Sequence, residues 1–147
     1  MRLPSLLVLL SVATGCAQSF PDQDTPATRE LRAFGESTWA EHAVRAPADY
    51  TLALLPADEL AELCEADHDV GGCSYPEAGA ILLDESLSPE QLRVGIVHEL
   101  GHFLRHQHGG AHGHLACDER GHGADAMCPR ADSAAVTPRD IRFALGR

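Results

Sequence analysis

Apolar and polar positions divide this chain into short runs of different period. Leu3 to Leu10 is apolar except for Pro4 and Ser5, and Gln18 to Ala27 is polar with two prolines. Thr28 to Phe34 fits a short helix, while Ser37 to Val44 follows no single period. Tyr50 to Leu55 is largely apolar, stops at Pro56 and predicts a strand. Asp58 to Ala66 places its leucines and Cys64 at helical spacing. His68 to Tyr75 contains Gly71-Gly72 and reads as a turn, and Ala80 to Asp84 reads as a second strand.

The clearest helix start follows. Ser88 can cap, Pro89 suits the first helical position, and Gln91 can complete a capping box. Leu92, Ile96, Leu100 and Phe103 or Leu104 then form an apolar stripe, predicting a helix from Pro89 to about Leu104. Gly95 and Gly101 interrupt it and permit close packing. Gly109 to Asp125 is glycine-rich and polar, hence a loop, and its length asks for a functional or covalent reason. Thr137-Pro138-x-Asp140 repeats the cap pattern and predicts a last helix through Leu145. The elements describe an α+β domain without internal repeats.

A length of 147 residues suits one domain. All 11 basic residues are Arg, against 22 Asp plus Glu, so no basic stripe is available to meet phosphates and nucleic acid is excluded as a partner. Residues 1–15 read as a signal peptide, because the apolar run is too short to span a bilayer. Residues 16–27 read as a possible lipid anchor and tether, and 28–147 as the folded domain. Ala13-Thr14-Gly15-Cys16 resembles a bacterial lipobox, which implies lipidation of Cys16 and an exported protein, either held in the cell envelope or secreted. That anchor is the one expected membrane contact. Of five cysteines, Cys64, Cys73, Cys117 and Cys128 remain, an even set that suggests disulfides in an exported chain. Short loops favour Cys64–Cys73 and Cys117–Cys128. A four-cysteine zinc site would need close C-x-x-C pairs, which are missing.

The main chemical signal is His98-Glu99-Leu100-Gly101-His102. Histidines four apart on a helix stand one turn above each other, with Cβ atoms about 5–6 Å apart. Both rings can then reach one zinc at about 2.0–2.1 Å. Glu99 lies about 100° round the helix, where it can flank the metal and act as general base. A catalytic zinc needs a third protein ligand and an open position. Seven of the nine histidines fall between residues 98 and 122. His106 would lie about 12 Å along the axis from His98 if the helix continued, too far for one ion. The chain is therefore expected to bend after His102, with His108, ahead of Gly109-Gly110, as the better third ligand. Glu119 is a rival, as the glutamate that other zinc peptidases take from a second helix. His106, His112, His114 and His122 read as exposed loop histidines or a secondary metal patch. His42 and His68 carry no motif.

The spacing His98-Glu99-x-x-His102-x-x-Arg105-x-x-His108 resembles the elongated zinc motif of metzincin peptidases, especially the matrixin-like members. Asp125-Ala126-Met127-Cys128-Pro129 resembles their Met-turn, and Val136 through Gly146 their closing helix. The resemblance covers roughly residues 71 to 147. It implies a compact metzincin-like fold with a small twisted sheet, zinc held by His98, His102 and His108, Glu99 as base, and Met127 as a floor beneath the metal. The family has glycine where this chain has Arg105. A left-handed backbone there costs a non-glycine residue about 1–2 kcal/mol, so either Arg105 accepts that strain or the turn is made differently.

The expected activity is a zinc-dependent endopeptidase acting on a peptide or protein, as a monomer. The substrate is expected to lie extended along an edge strand containing Ile81 to Leu83. The alternative is a non-catalytic exported metal-binding lipoprotein whose histidine-rich loop buffers metal. Glu99 and the methionine turn oppose it, since storage needs neither.

Overall fold

The computed structural model describes residues 20–47, 49–66, 70–117 and 122–147. Residues 1–15, read above as a signal peptide, and Cys16, His68 and Glu119 lie outside the described residues. Helix α1 (Pro26–Ala40) starts at Thr25, whose hydroxyl accepts from the Thr28 N–H while the Thr28 hydroxyl accepts from the Thr25 N–H. Pro26 fills the first position, where a missing N–H is no loss. The helix is longer than the expected Thr28–Phe34 segment because Leu31, Gly35 and Trp39 form a buried stripe at four-residue intervals. Gly35 permits the contact: a Cβ there would lie 2.7 Å from Leu100 Cδ1 and 2.9 Å from Ile96 Cγ1. The Trp39 indole N–H donates to the Val97 carbonyl at 3.0 Å.

A mixed sheet lies beside this helix pair. Strand β1 (Thr51–Leu55) leads through helix α2 (Ala57–Leu63) to β2 (Gly72–Tyr75) and β3 (Ala80–Asp84). The order is β1-β3-β2, with β1 parallel and β2 antiparallel to β3. Two expectations change here. Ile81 to Leu83 is the central strand, not an edge. All five residues of β3 are buried, because an apolar run without alternation must be covered on both faces. Ile81 and Leu83 join the main core, while Leu82 packs with Ala53, Leu55 and Leu60. The edge is instead β2, in the segment that Gly71-Gly72 marked as a turn. Gly72 belongs in the strand because a Cβ would sit 2.5 Å from Leu83 Cδ2 and 2.9 Å from the Leu82 carbonyl.

The polar segment before α1 belongs to the fold as far back as Phe20, which stacks on Tyr75. Gln23 covers the outer edge of β1. Its backbone N–H donates to Leu52 O at 3.1 Å, and its side-chain amide donates to Leu54 O at 3.0 Å and accepts from Leu54 N at 2.9 Å. One edge of the sheet is thereby closed.

Helix α3 (Pro89–Gln107) begins with the Ser88–Gln91 capping box and runs three residues past Leu104. Residues from Ile96 to Leu104 are all buried in it. Beyond α3, the two-residue strands β4 (His122–Gly123) and β5 (Arg130–Ala131) pair in parallel. Helix α4 (Pro138–Ala144) closes the chain with the Thr137–Asp140 capping box. Disulfides join Cys64 to Cys73 and Cys117 to Cys128. Among the described residues, no helix is long and apolar enough to cross a membrane.

Candidate active site

His98 and His102 face the same way from buried turns of α3, at 9% and 4% exposure. Their Nε2 atoms are 3.1 Å apart, and His98 Nε2 is also 3.1 Å from His114 Nε2. One nitrogen from each of the three rings lies within 4.8 Å of the others. Ligand bonds of about 2.0–2.1 Å to a tetrahedral zinc put nitrogens about 3.3–3.4 Å apart. His98 Nδ1 donates to the Ala126 carbonyl at 2.7 Å, which leaves its Nε2 with a lone pair toward the cluster. His102 Nδ1 is buried without a hydrogen-bond partner. Burial, followed by the neighbouring histidines and Arg105, pushes His102 down to about 2. Burial and the adjacent His98 and His112 lower His114 to about 4. With the pKa values of His102 and His114 lowered, the converging nitrogens have too few protons to satisfy one another. The donor set therefore fits a divalent cation with nitrogen preference, such as zinc.

The helix does not bend after His102, and this moves the third imidazole. Helix α3 continues to Gln107, and His108 is its exposed C-cap, outside the three-ring cluster. The reversal comes at Gly109, whose φ is +74°, a conformation natural to glycine after a helix end. Arg105 stays helical, so the strain weighed for it does not arise. The turn falls one helical turn beyond the expected place, and His114 stands where His108 was expected. The glycine pair held a usable signal: a glycine just past a helix puts its cap residue, His108, on the wrong side of the turn. His114 is an exposed loop histidine, as expected, yet its ring joins the converging set.

The remaining histidines divide by place. His112 lines the cleft and stacks on His102 with centroids 4.7 Å apart, but is not in the converging set. His106 is exposed and lies 3.7 Å from the Glu77 carboxylate. His42 is exposed beyond α1.

Glu99 flanks the cluster and is 6% exposed. Burial raises its carboxyl above the usual carboxylate range, while His98, Ser74 and His112 act in the opposite direction. The buried Ser74 hydroxyl faces the Glu99 carboxylate, near enough to favour its charged form but not aligned for a regular hydrogen bond. Gly72 also approaches this carboxylate, since a Cβ there would lie 3.6 Å from Glu99 Oε1. The edge strand β2, the start of α3, the three-ring cluster with His112, and residues 129–132 enclose a cleft of roughly 960 Å³.

Beneath α3, Met127 is fully buried, with its sulfur against Gly101. A Cβ at Gly101 would lie 2.1 Å from that sulfur, so no larger residue fits without displacing it. The methionine turn is held by Asp140, whose carboxylate accepts from Ala126 N at 3.0 Å and from Met127 N and Thr137 N at 2.8 Å. The same carboxylate thus caps α4 and fixes the carbonyl that orients His98.

Comparison with curated proteins and with solved structures gives no match. The family model of Peptidase M78, the IrrE N-terminal-like domain, matches residues 59–134. That span is just over half the chain and runs from α2 through the histidine pair to the segment after β5. It carries the zinc-peptidase-like character that the sequence resemblance suggested, without reaching the matrixin-like subdivision. The chain belongs to the Peptidase M78 family of IrrE N-terminal-like domains.

Proposed function

We propose that this protein is a zinc-dependent endopeptidase in which His98, His102 and His114 hold the metal and Glu99 is the general base. The supporting observation is the convergence of three imidazoles beside a buried carboxylate, in a cleft bounded by an open strand edge. When bound, zinc supplies a Lewis acid that lowers the pKa of water and polarises a carbonyl. Glu99 accepts the proton of the attacking water and returns it to the amine released when the C–N bond breaks. An extended substrate would add to the free edge of β2, between that strand and the three rings, gaining backbone hydrogen bonds. The match to a peptidase family supports the reaction class. The buried methionine under Gly101 supports the metzincin-like floor suggested by sequence.

We also read the protein as exported, with a lipid on Cys16. The lipobox-like segment and two disulfides support this reading. Metabolic labelling with a radioactive fatty acid, lost in Cys16→Ser, is the expected result.

The central test pairs metal analysis with hydrolysis of a peptide library. Glu99→Gln is expected to keep one tightly bound zinc and lose turnover; hydrolysis at the parent rate removes Glu99 as base. His114→Ala is expected to lose tight zinc binding. If the untouched protein binds zinc but cleaves nothing under chelator-reversible conditions, the non-catalytic metal-binding alternative takes over.

A further inference from the structure

Strands and helices place His98 and His102, but the chain carrying His114 has neither. It is held at two points. At one, Arg105 Nε donates to Ala111 O at 2.6 Å. At the other, Leu115 N donates to Met127 O at 3.0 Å. Only His112, Gly113 and His114 lie between these anchors.

We infer that Arg105 is a positioning residue for the third metal ligand, tying the loop that carries His114 to the end of α3 and to α4. The inference rests on the reading of His98, His102 and His114 as the ligand set. The guanidinium makes three separate contacts. Besides Ala111 O, its Nη1 donates to Phe143 O at 2.7 Å, and its carbon lies 4.0 Å from the Phe143 ring centre. Phe143 is in the last turn of α4, where its carbonyl also accepts from Gly146 N at 3.2 Å and a cation suits the helix dipole. Arg105 is itself in the last turn of α3, where a cation likewise suits the dipole. The loop backbone closes over the side chain, since a Cβ on Gly110 would lie 2.5 Å from Arg105 Cγ. Gly110 N donates to Arg105 O at 2.8 Å. One side chain thus joins both helix ends to the loop.

The chemistry selects arginine. A planar fork can donate to two carbonyls in different directions while its face lies on an aromatic ring. A lysine ammonium carries the charge but not that geometry. The residue that broke the expected motif is thus the one that shapes the replacement turn.

The test measures zinc affinity of the full chain by competition with a chromophoric chelator, alongside thermal unfolding of the metal-free protein. Arg105→Ala is expected to weaken zinc binding about 10–100-fold, the usual range for groups that act through a ligand. Arg105→Lys should recover only part of that loss. In a His114→Ala background, Arg105→Ala should cause no further loss, because the ligand it positions is gone. The same fold-loss in both backgrounds overturns the assignment. So does a metal-free Arg105→Lys protein that melts far below the parent, which would give Arg105 a general structural role. His114→Ala binding zinc like the parent would remove the ligand set itself, a failure distinct from that of Arg105 alone.

Discussion

The two sides of the site are built by different means. His98, Glu99 and His102 stand on a capped helix whose middle is buried against α1 and the sheet. His114 stands on irregular chain, and its place comes from side chains reaching across the fold. Arg105 reaches Phe143, 38 positions away; Arg139 donates to Ala116 O at 2.9 Å; and a disulfide joins Cys117 to Cys128. A histidine pair four residues apart stands on one face of any helix. The place of the third imidazole is a property of the tertiary structure, so the two sides should respond differently to perturbation.

The largest effect is expected at the joint between them. Asp140 is fully buried and accepts from three backbone N–H groups. Asp140→Ala strands those donors in the core and removes the α4 capping box. Charge-assisted bonds of this kind are each worth about 1.5–3 kcal/mol, and their shared loss should destabilise by about 3–5 kcal/mol. Urea unfolding measures it. Zinc affinity should fall as well in the protein that remains folded, because Ala126 O loses its position against His98. A loss under about 1 kcal/mol would mean the methionine turn is held by packing alone.

The disulfides sharpen the comparison. They close loops with sequence separations of 9 and 11, so chain entropy gives them nearly equal stabilisation, about 3 kcal/mol each. Cys64→Ser/Cys73→Ser and Cys117→Ser/Cys128→Ser should therefore lower stability by similar amounts. Only the second pair should also weaken zinc binding, since Cys117 lies three residues beyond His114. Equal zinc losses from both pairs would show that His114 depends on global stability rather than on a local brace.

This division also explains what could be read in advance. Caps at Ser88 and Thr137 depend on three or four neighbouring residues, and both helices start where those residues put them. Thr25-Pro26 has the same form but lies in polar chain, and its composition hid it. The α+β class followed from periodicity, yet the places of the strands did not. Whether β3 is central depends on which strands flank it, and β2 became a strand through a close approach of Gly72 to Leu83 that no local signal encodes. The histidine pair and Glu99 were visible from spacing. His114 was not, because the contacts that hold its loop come from Arg105 and Met127, and Arg105 is itself held by Phe143, residues far apart in sequence.

The smallest effect should come from His108→Ala. The side chain is exposed, and the cap contact that His108 makes is through its backbone N–H to Leu104 O at 3.1 Å, which alanine keeps. Stability should change by no more than about 0.5 kcal/mol, with zinc affinity that of the parent by the same chelator competition. The opposite result would carry a definite structural meaning. For His108 to reach the metal, α3 would have to end a turn earlier, with Arg105 in a left-handed conformation costing about 1–2 kcal/mol. Arg105 would also give up both carbonyls and the face of Phe143. A strong zinc loss in His108→Ala would thus require the metal to offset all of those contacts, and the effect of Arg105→Ala would then reverse sign, since removing the side chain would free the earlier turn.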